Sequence, residues 1–162
     1  MKRFLLSAPL IAIGATPAAA WAETISVTIP QIKVAEYHRP YVAAWLEPLG
    51  GGANRTLFVW YDVKKGGREP GTKWLADLRS WWRKGGRGLN LPADGVSGAT
   101  RPPGTYKIPL PANIRPGQYT LHVEAARETG GRELVSVPLT IPKGVASATG
   151  KAELGKIAVS SR

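Results

Sequence analysis

The stretch Gln118–Ile141, QYTLHVEAARETGGRELVSVPLTI, decides the fold class. Its first half alternates strictly: Tyr119, Leu121, Val123 and Ala125 point one way, Thr120, His122 and Glu124 the other. Alternation with a period of two is the mark of a strand with one face buried. Gly130-Gly131 lets the chain turn back, and Val135, Val137, Leu139 and Ile141 repeat the alternation on the return. Two such runs around a glycine pair predict an antiparallel hairpin with one apolar face. Arg115-Pro116-Gly117 in front of it has turn composition, with glycine where a positive φ is needed.

Working outward, the same signature recurs. Thr24 to Pro30 alternates, with Ile25, Val27 and Ile29 on one face. Tyr41 to Leu46 and Thr56 to Val63 are rich in aromatic and β-branched residues, which suit a pleated, half-buried surface. Gly50-Gly51-Gly52 is a flexible connection between them, and Lys156 to Ser160 predicts a last strand at a sheet edge. One segment breaks the pattern. Lys73 to Lys84 sets Trp74, Leu78 and Trp81 at i, i+4 and i+7, with Leu75 and Trp82 beside them, and Gly85-Gly86 ends it. That spacing predicts a short helix with an apolar stripe. Many short strands and one helix predict a mainly β chain, an immunoglobulin-like antiparallel β-sandwich with one short helical insertion.

The N-terminus has the order of a secretory signal: Lys2 and Arg3, an apolar run from Phe4 to Gly14, then Ala20-Trp21-Ala22 with small residues at the peptidase positions. The run is too short to span a bilayer. Cleavage after Ala22 is expected to leave Glu23–Arg162 as one soluble, exported domain with no membrane span. The full chain has 22 Lys and Arg against 11 Asp and Glu, a net charge of +11, of which Lys2 and Arg3 leave with the signal. The positive residues are scattered through loops (Lys64, Lys65, Arg68, Arg83, Lys84, Arg87), which fits a solvated basic surface better than a nucleic-acid groove, and export argues against nucleic acid as partner. There is no cysteine. That removes disulfides, cysteine-attached haem and iron–sulfur clusters, so any redox cofactor must be held another way.

Asp94-Gly95-Val96-Ser97-Gly98-Ala99-Thr100 lies where a loop is expected, before Pro102-Pro103-Gly104. It resembles the acceptor motif of ApbE-type flavin transferases: Asp, two free positions, Ser or Thr, Gly, Ala, then Ser or Thr. Asp94, Ser97, Gly98, Ala99 and Thr100 fill its constrained positions. The resemblance implies that Thr100 receives FMN through a phosphoester bond, with FAD as donor and the transferase as partner. Asp94 and Ser97 suit a local turn held by side-chain to backbone hydrogen bonds. Gly98 and Ala99 leave room for close approach. Arg101 could pair with the FMN phosphate, since a guanidinium matches phosphate oxygens; the alternative for it is a solvated loop charge. The alternative reading of these residues is an ordinary tight turn.

Arg39-Pro40-Tyr41-Val42-Ala43-Ala44-Trp45, Leu78-Arg79-Ser80-Trp81-Trp82, Ser97–Gly104 and Tyr119–Ala125 together resemble the predicted periplasmic family of unknown function numbered 2271. The resemblance spans nearly all of residues 23–162. It implies a periplasmic flavin carrier working beside the flavin transferase and a PepSY-type membrane reductase, in ferric-iron or siderophore reduction.

Trp74, Trp81 and Trp82 offer rings that could stack on an isoalloxazine, although such a stripe is more often a helix's core face. His38 and His122 are the only histidines, and no third ligand is spaced for a metal. No nucleophile elbow, His-Glu-x-x-His or P-loop occurs. No catalyst is expected from these residues and no metal site; the electron-carrier role is what the resemblance implies. The competing readings are a non-redox immunoglobulin-like module binding a periplasmic partner, glycan or siderophore, and an iron or haem chaperone using the histidines with tyrosines.

Overall fold

A computed structural model describes residues 23–63 and 70–161. The expected signal peptide and the loop charges at 64, 65 and 68 lie outside the described residues. The chain is mainly β: a four-stranded sheet packs on a five-stranded one. The strands are β1 (Thr24–Ile29), β2 (Tyr41–Pro48), β3 (Arg55–Tyr61), β4 (Ser97–Ala99), β5 (Gly104–Pro109), β6 (Gly117–Ala126), β7 (Arg132–Ile141), β8 (Ala146–Thr149) and β9 (Lys156–Ser160). One sheet has the order β5-β1-β9-β8 and the other β4-β3-β2-β6-β7.

The hairpin of β6 and β7 pairs antiparallel from Gly117↔Ile141 to Ala126↔Arg132. Leu121, Val123, Ala125, Val137 and Leu139 of its apolar face are buried against Ile25, Val27, Ile157 and Val159 of the other sheet. Burying such side chains, at roughly 1.5–3 kcal/mol each, is what holds the two sheets together in the absence of disulfides. Two expectations need correcting. The strand Lys156–Ser160 is not at an edge but lies between β1 and β8, which adds Ala146–Thr149 outside it. The sandwich is also not wholly antiparallel, because β4 runs parallel to β3.

β2 is buried on both faces. Val42, Ala44 and Leu46 enter the core between the sheets, whereas Ala43 and Trp45 join Val59, Tyr61, Leu75, Leu78 and Trp81 in a second cluster on the outer face. The segment covering that face is not the continuous helix its spacing predicts. A 3₁₀ stretch, Gly71–Asp77, is followed at Leu78 (ψ 68°) by a break and then by the short helix α1, Arg79–Arg83. The break changes the buried stripe. Leu75, Leu78 and Trp81 are buried, and Trp74 turns out to solvent at 50% exposure. A buried carboxylate explains where α1 begins. Glu124, expected on a polar strand face, is fully buried and accepts the backbone N–H groups of Ser80 and Trp81, while Arg132 Nη1 donates to its Oε1 at 2.6 Å. A capping carboxylate satisfies donors that the helix itself leaves open.

Candidate functional site at the sheet edge

The segment Asp94–Thr100 is built around Ala93 and Ser97. The backbone N–H of Ser97 donates to Ala93 O at 2.9 Å, and Ala93 N–H donates back to Ser97 Oγ at 2.9 Å. This is the side-chain-to-backbone turn anticipated for Ser97. Gly95 sits at φ +70°, in the left-handed region that glycine enters at no steric cost. Asp94 is exposed at this turn.

The rest of the motif is not a plain loop. Ser97, Gly98 and Ala99 form the edge strand β4, paired with Val59, Trp60 and Tyr61 of β3. The pairing ends at Ala99, and from Thr100 the chain leaves the five-stranded sheet and crosses to β5 at the edge of the other. Thr100 is half-buried, between exposed Ala99 and exposed Arg101. A short edge strand presents the next residue at a fixed position while leaving one side of its backbone open.

Aromatic rings lie beneath this edge. A Cβ on Gly98 would stand 3.0 Å from Trp60 Cδ1, so the glycine is there for the close approach of this indole. Trp60 stacks on Phe58 (centroids 4.4 Å apart) and meets Tyr106 of β5 edge-on at 5.6 Å. The Arg101 guanidinium stands 5.3 Å from both the Trp60 and Tyr106 rings. Such contacts hold a cation in place, and a guanidinium still carries five N–H donors. Among the described residues Arg101 makes no ion pair.

The other candidates do not converge here. Trp81 is 1% exposed and its indole N–H donates to Thr56 Oγ1 at 3.0 Å, so its ring belongs to the outer-face core. Trp82 is half-buried at the margin of that cluster, tilted against Trp81 at 6.2 Å. His122 is held by both ring nitrogens, Nδ1 to Ser136 Oγ at 2.8 Å and Nε2 to Glu47 Oε2 at 3.1 Å, and stacks on Trp45. Burial pushes the His122 imidazole below its ordinary pKa, against the pull of Glu47. His38 is elsewhere, beside Glu36 and Glu128. Among the described residues no cluster of three or more His, Asp or Glu suits a metal ion.

Sequence reasoning singled out Arg101 but did not bring Trp60 and Tyr106 to it, because Trp60 comes from the distant strand β3 and Tyr106 from β5. A trace was legible: Tyr106 and Ile108 alternate with Thr105 and Lys107, a strand signal obscured by flanking prolines. It missed a cleft of about 460 Å³ between the Arg127–Arg132 turn and the Gly71–Asp77 segment, and another of about 550 Å³ between Gly50–Ala53 and Asn113–Tyr119. Motif residues 94–101 line neither cleft.

Fold and site together define a two-sheet β-sandwich that displays a threonine where one sheet edge hands the chain to the other. The chain belongs to the family described as "Predicted periplasmic protein (DUF2271)", whose model matches residues 22–156. Neither the curated proteins nor the solved structures yield a match. Among the described residues no helix is long and apolar enough to cross a membrane.

Proposed function

We propose that this periplasmic protein is exported with cleavage after Ala22 and carries FMN covalently on Thr100 as an electron relay. The observation that carries the reading is the position of Thr100. It is half-exposed, immediately after an edge strand that ends at Ala99, with the motif turn on one side and Arg101 on the other. A hydroxyl that must enter another enzyme's active site needs this kind of local exposure on a rigid base. The threonine O–H would be exchanged for an O–P bond, with AMP leaving from FAD.

Bound FMN supplies one- and two-electron transfer, chemistry that belongs to the cofactor. The chain's own residues hold and orient it. Arg101, steadied over Trp60 and Tyr106, would neutralise the phosphate. The Ser97–Ala93 turn fixes the path into Thr100. Because the motif lines no cleft, the tethered group would lie at the surface, open to a transferase and to a PepSY-type membrane partner in iron reduction. The basic surface favours acidic partners. Co-expression with an ApbE-type flavin transferase tests the reading. Wild-type protein is expected to show in-gel flavin fluorescence and Thr100→Ala none; a dark wild-type band rejects it.

A further inference from the structure

The cleft beside the Arg127–Arg132 turn is a built feature. Its turn is closed by Arg127 N–H to Gly131 O (3.1 Å) and Gly130 N–H to Arg127 O (3.0 Å), and Gly131 N–H donates to Glu153 Oε1 at 2.8 Å. Thr129 in that turn sits at φ +53°, a left-handed conformation that a β-branched residue adopts only when its surroundings impose it.

Two guanidiniums of the wall are fixed from behind. Arg127 grips the buried Glu153 carboxylate with Nε (2.9 Å) and Nη2 (3.0 Å), and Arg132 uses Nη1 on buried Glu124. Each keeps further N–H donors beyond those bonds. Arg39 and Arg79 complete four arginines; Glu153 and Glu124 already pair with Arg127 and Arg132, and Asp77 and Glu128 share the lining with Arg39 and Arg79, so the cleft carries fixed guanidiniums rather than an excess of positive charge. The aromatic lining is Tyr41, pinned by its hydroxyl to Gly71 O at 3.2 Å, and Trp74, half-exposed where its neighbours Leu75 and Leu78 are buried. The Trp74 ring stands at the rim of the cleft with Lys73 Nζ 5.1 Å from its centroid. A volume of about 460 Å³ is that of a small-molecule site.

We propose that this cleft binds a small planar aromatic anion, its ring against Trp74 and Tyr41 and its acid group on the accessible guanidiniums of Arg39, Arg79 and Arg132. The site is separate from the Thr100 motif and does not depend on the flavin reading. The Arg132 guanidinium, held on Glu124, supplies orientation without a large ordering cost, and the Trp74 face supplies the stacking surface.

Calorimetric titration with naphthalene-2-sulfonate tests this, with 2-naphthol (ring without the anion) and cyclohexanesulfonate (anion without the ring) as comparisons. Saturable one-site binding is expected for naphthalene-2-sulfonate, and about tenfold weaker binding for each comparison. Trp74→Ala and Arg79→Gln should each weaken naphthalene-2-sulfonate by about tenfold while leaving the unfolding midpoint unchanged. Thr100→Ala should bind like wild type, which keeps this result distinct from failure of flavin attachment. No saturable binding, equal binding of cyclohexanesulfonate, or unchanged affinity in either cleft variant overturns the proposal.

Discussion

The backbone N–H of Trp81 donates to Glu124 Oε2 at 2.8 Å, tying the first turn of α1 to a fully buried carboxylate on β6. This one contact joins the covering segment to the hairpin that organises the sandwich. Glu124→Ala would leave Arg132 and two backbone donors without their acceptor. The Arg132 side chain is part-exposed and can be solvated, so the expected loss is that of the buried donors left without an acceptor, about 1–3 kcal/mol, read from urea unfolding. A loss below about 1 kcal/mol would mean that the carboxylate is not what seats α1.

Arg127 and Glu153 form a bidentate pair whose side chains are both almost fully buried. Lysine keeps the charge but cannot reproduce the two parallel N–H···O bonds. Arg127→Lys should therefore destabilise the fold by about 1–3 kcal/mol and Arg127→Ala by more. Equal stability of wild type and the lysine variant in thermal unfolding would contradict this.

The Glu47–His122 pair predicts a pH dependence. Burial holds the folded-state pKa of His122 below its ordinary 6.5, with Glu47 opposing the shift. The bond from Lys84 holds Glu47 below its ordinary 4.5. Both folded-state pKa values are depressed, so the unfolded chain binds more protons as pH falls. The His122 contribution is complete above pH 6.5 and fades as pH drops through the folded value; that of Glu47 follows below 4.5. Urea midpoints should fall on acidification from neutral pH, and His122→Gln should flatten the upper part of that decline. A wild-type midpoint that rises over this range would refute the assignment.

At the sheet edge, Gly98→Val would drive a branched side chain onto Trp60, 3.0 Å from where the first carbon must sit. Overpacking of this kind costs about 1–3 kcal/mol, and it should displace Thr100 as well. Lower stability together with slower flavin attachment is expected. Arg101→Ala should slow attachment while costing only about 0.5–1 kcal/mol, the scale of an exposed cation–π contact. Normal attachment in both variants would remove this edge from the account.

The strands that alternate over six or more residues were legible in the sequence, because burial of one face writes a period of two into β1, β6 and β7. β4 was not legible. Three residues, two of them glycine and alanine, carry no periodic signal, and their pairing comes from β3, which precedes them by an intervening helical segment. The helical stripe was half right: Leu75, Leu78 and Trp81 are its buried members, and the break at Leu78 turns Trp74 out. Glu124 read as a surface residue because alternation assumes one solvent face, whereas this sheet is covered on both. Of the site, the local turn at Ser97 was readable, since its bonds span four residues. The rings that hold Arg101 were not, since Trp60 reaches it only through tertiary packing and Tyr106 through a local turn closed on Pro102 O.

The most direct measurement is peptide mapping by tandem mass spectrometry of the exported protein after co-expression with a flavin transferase. The account predicts a peptide spanning Asp94–Arg101 that is heavier by FMN less one water, with fragment ions placing the addition on Thr100. An unmodified peptide, or a flavin located on any other residue, would contradict it.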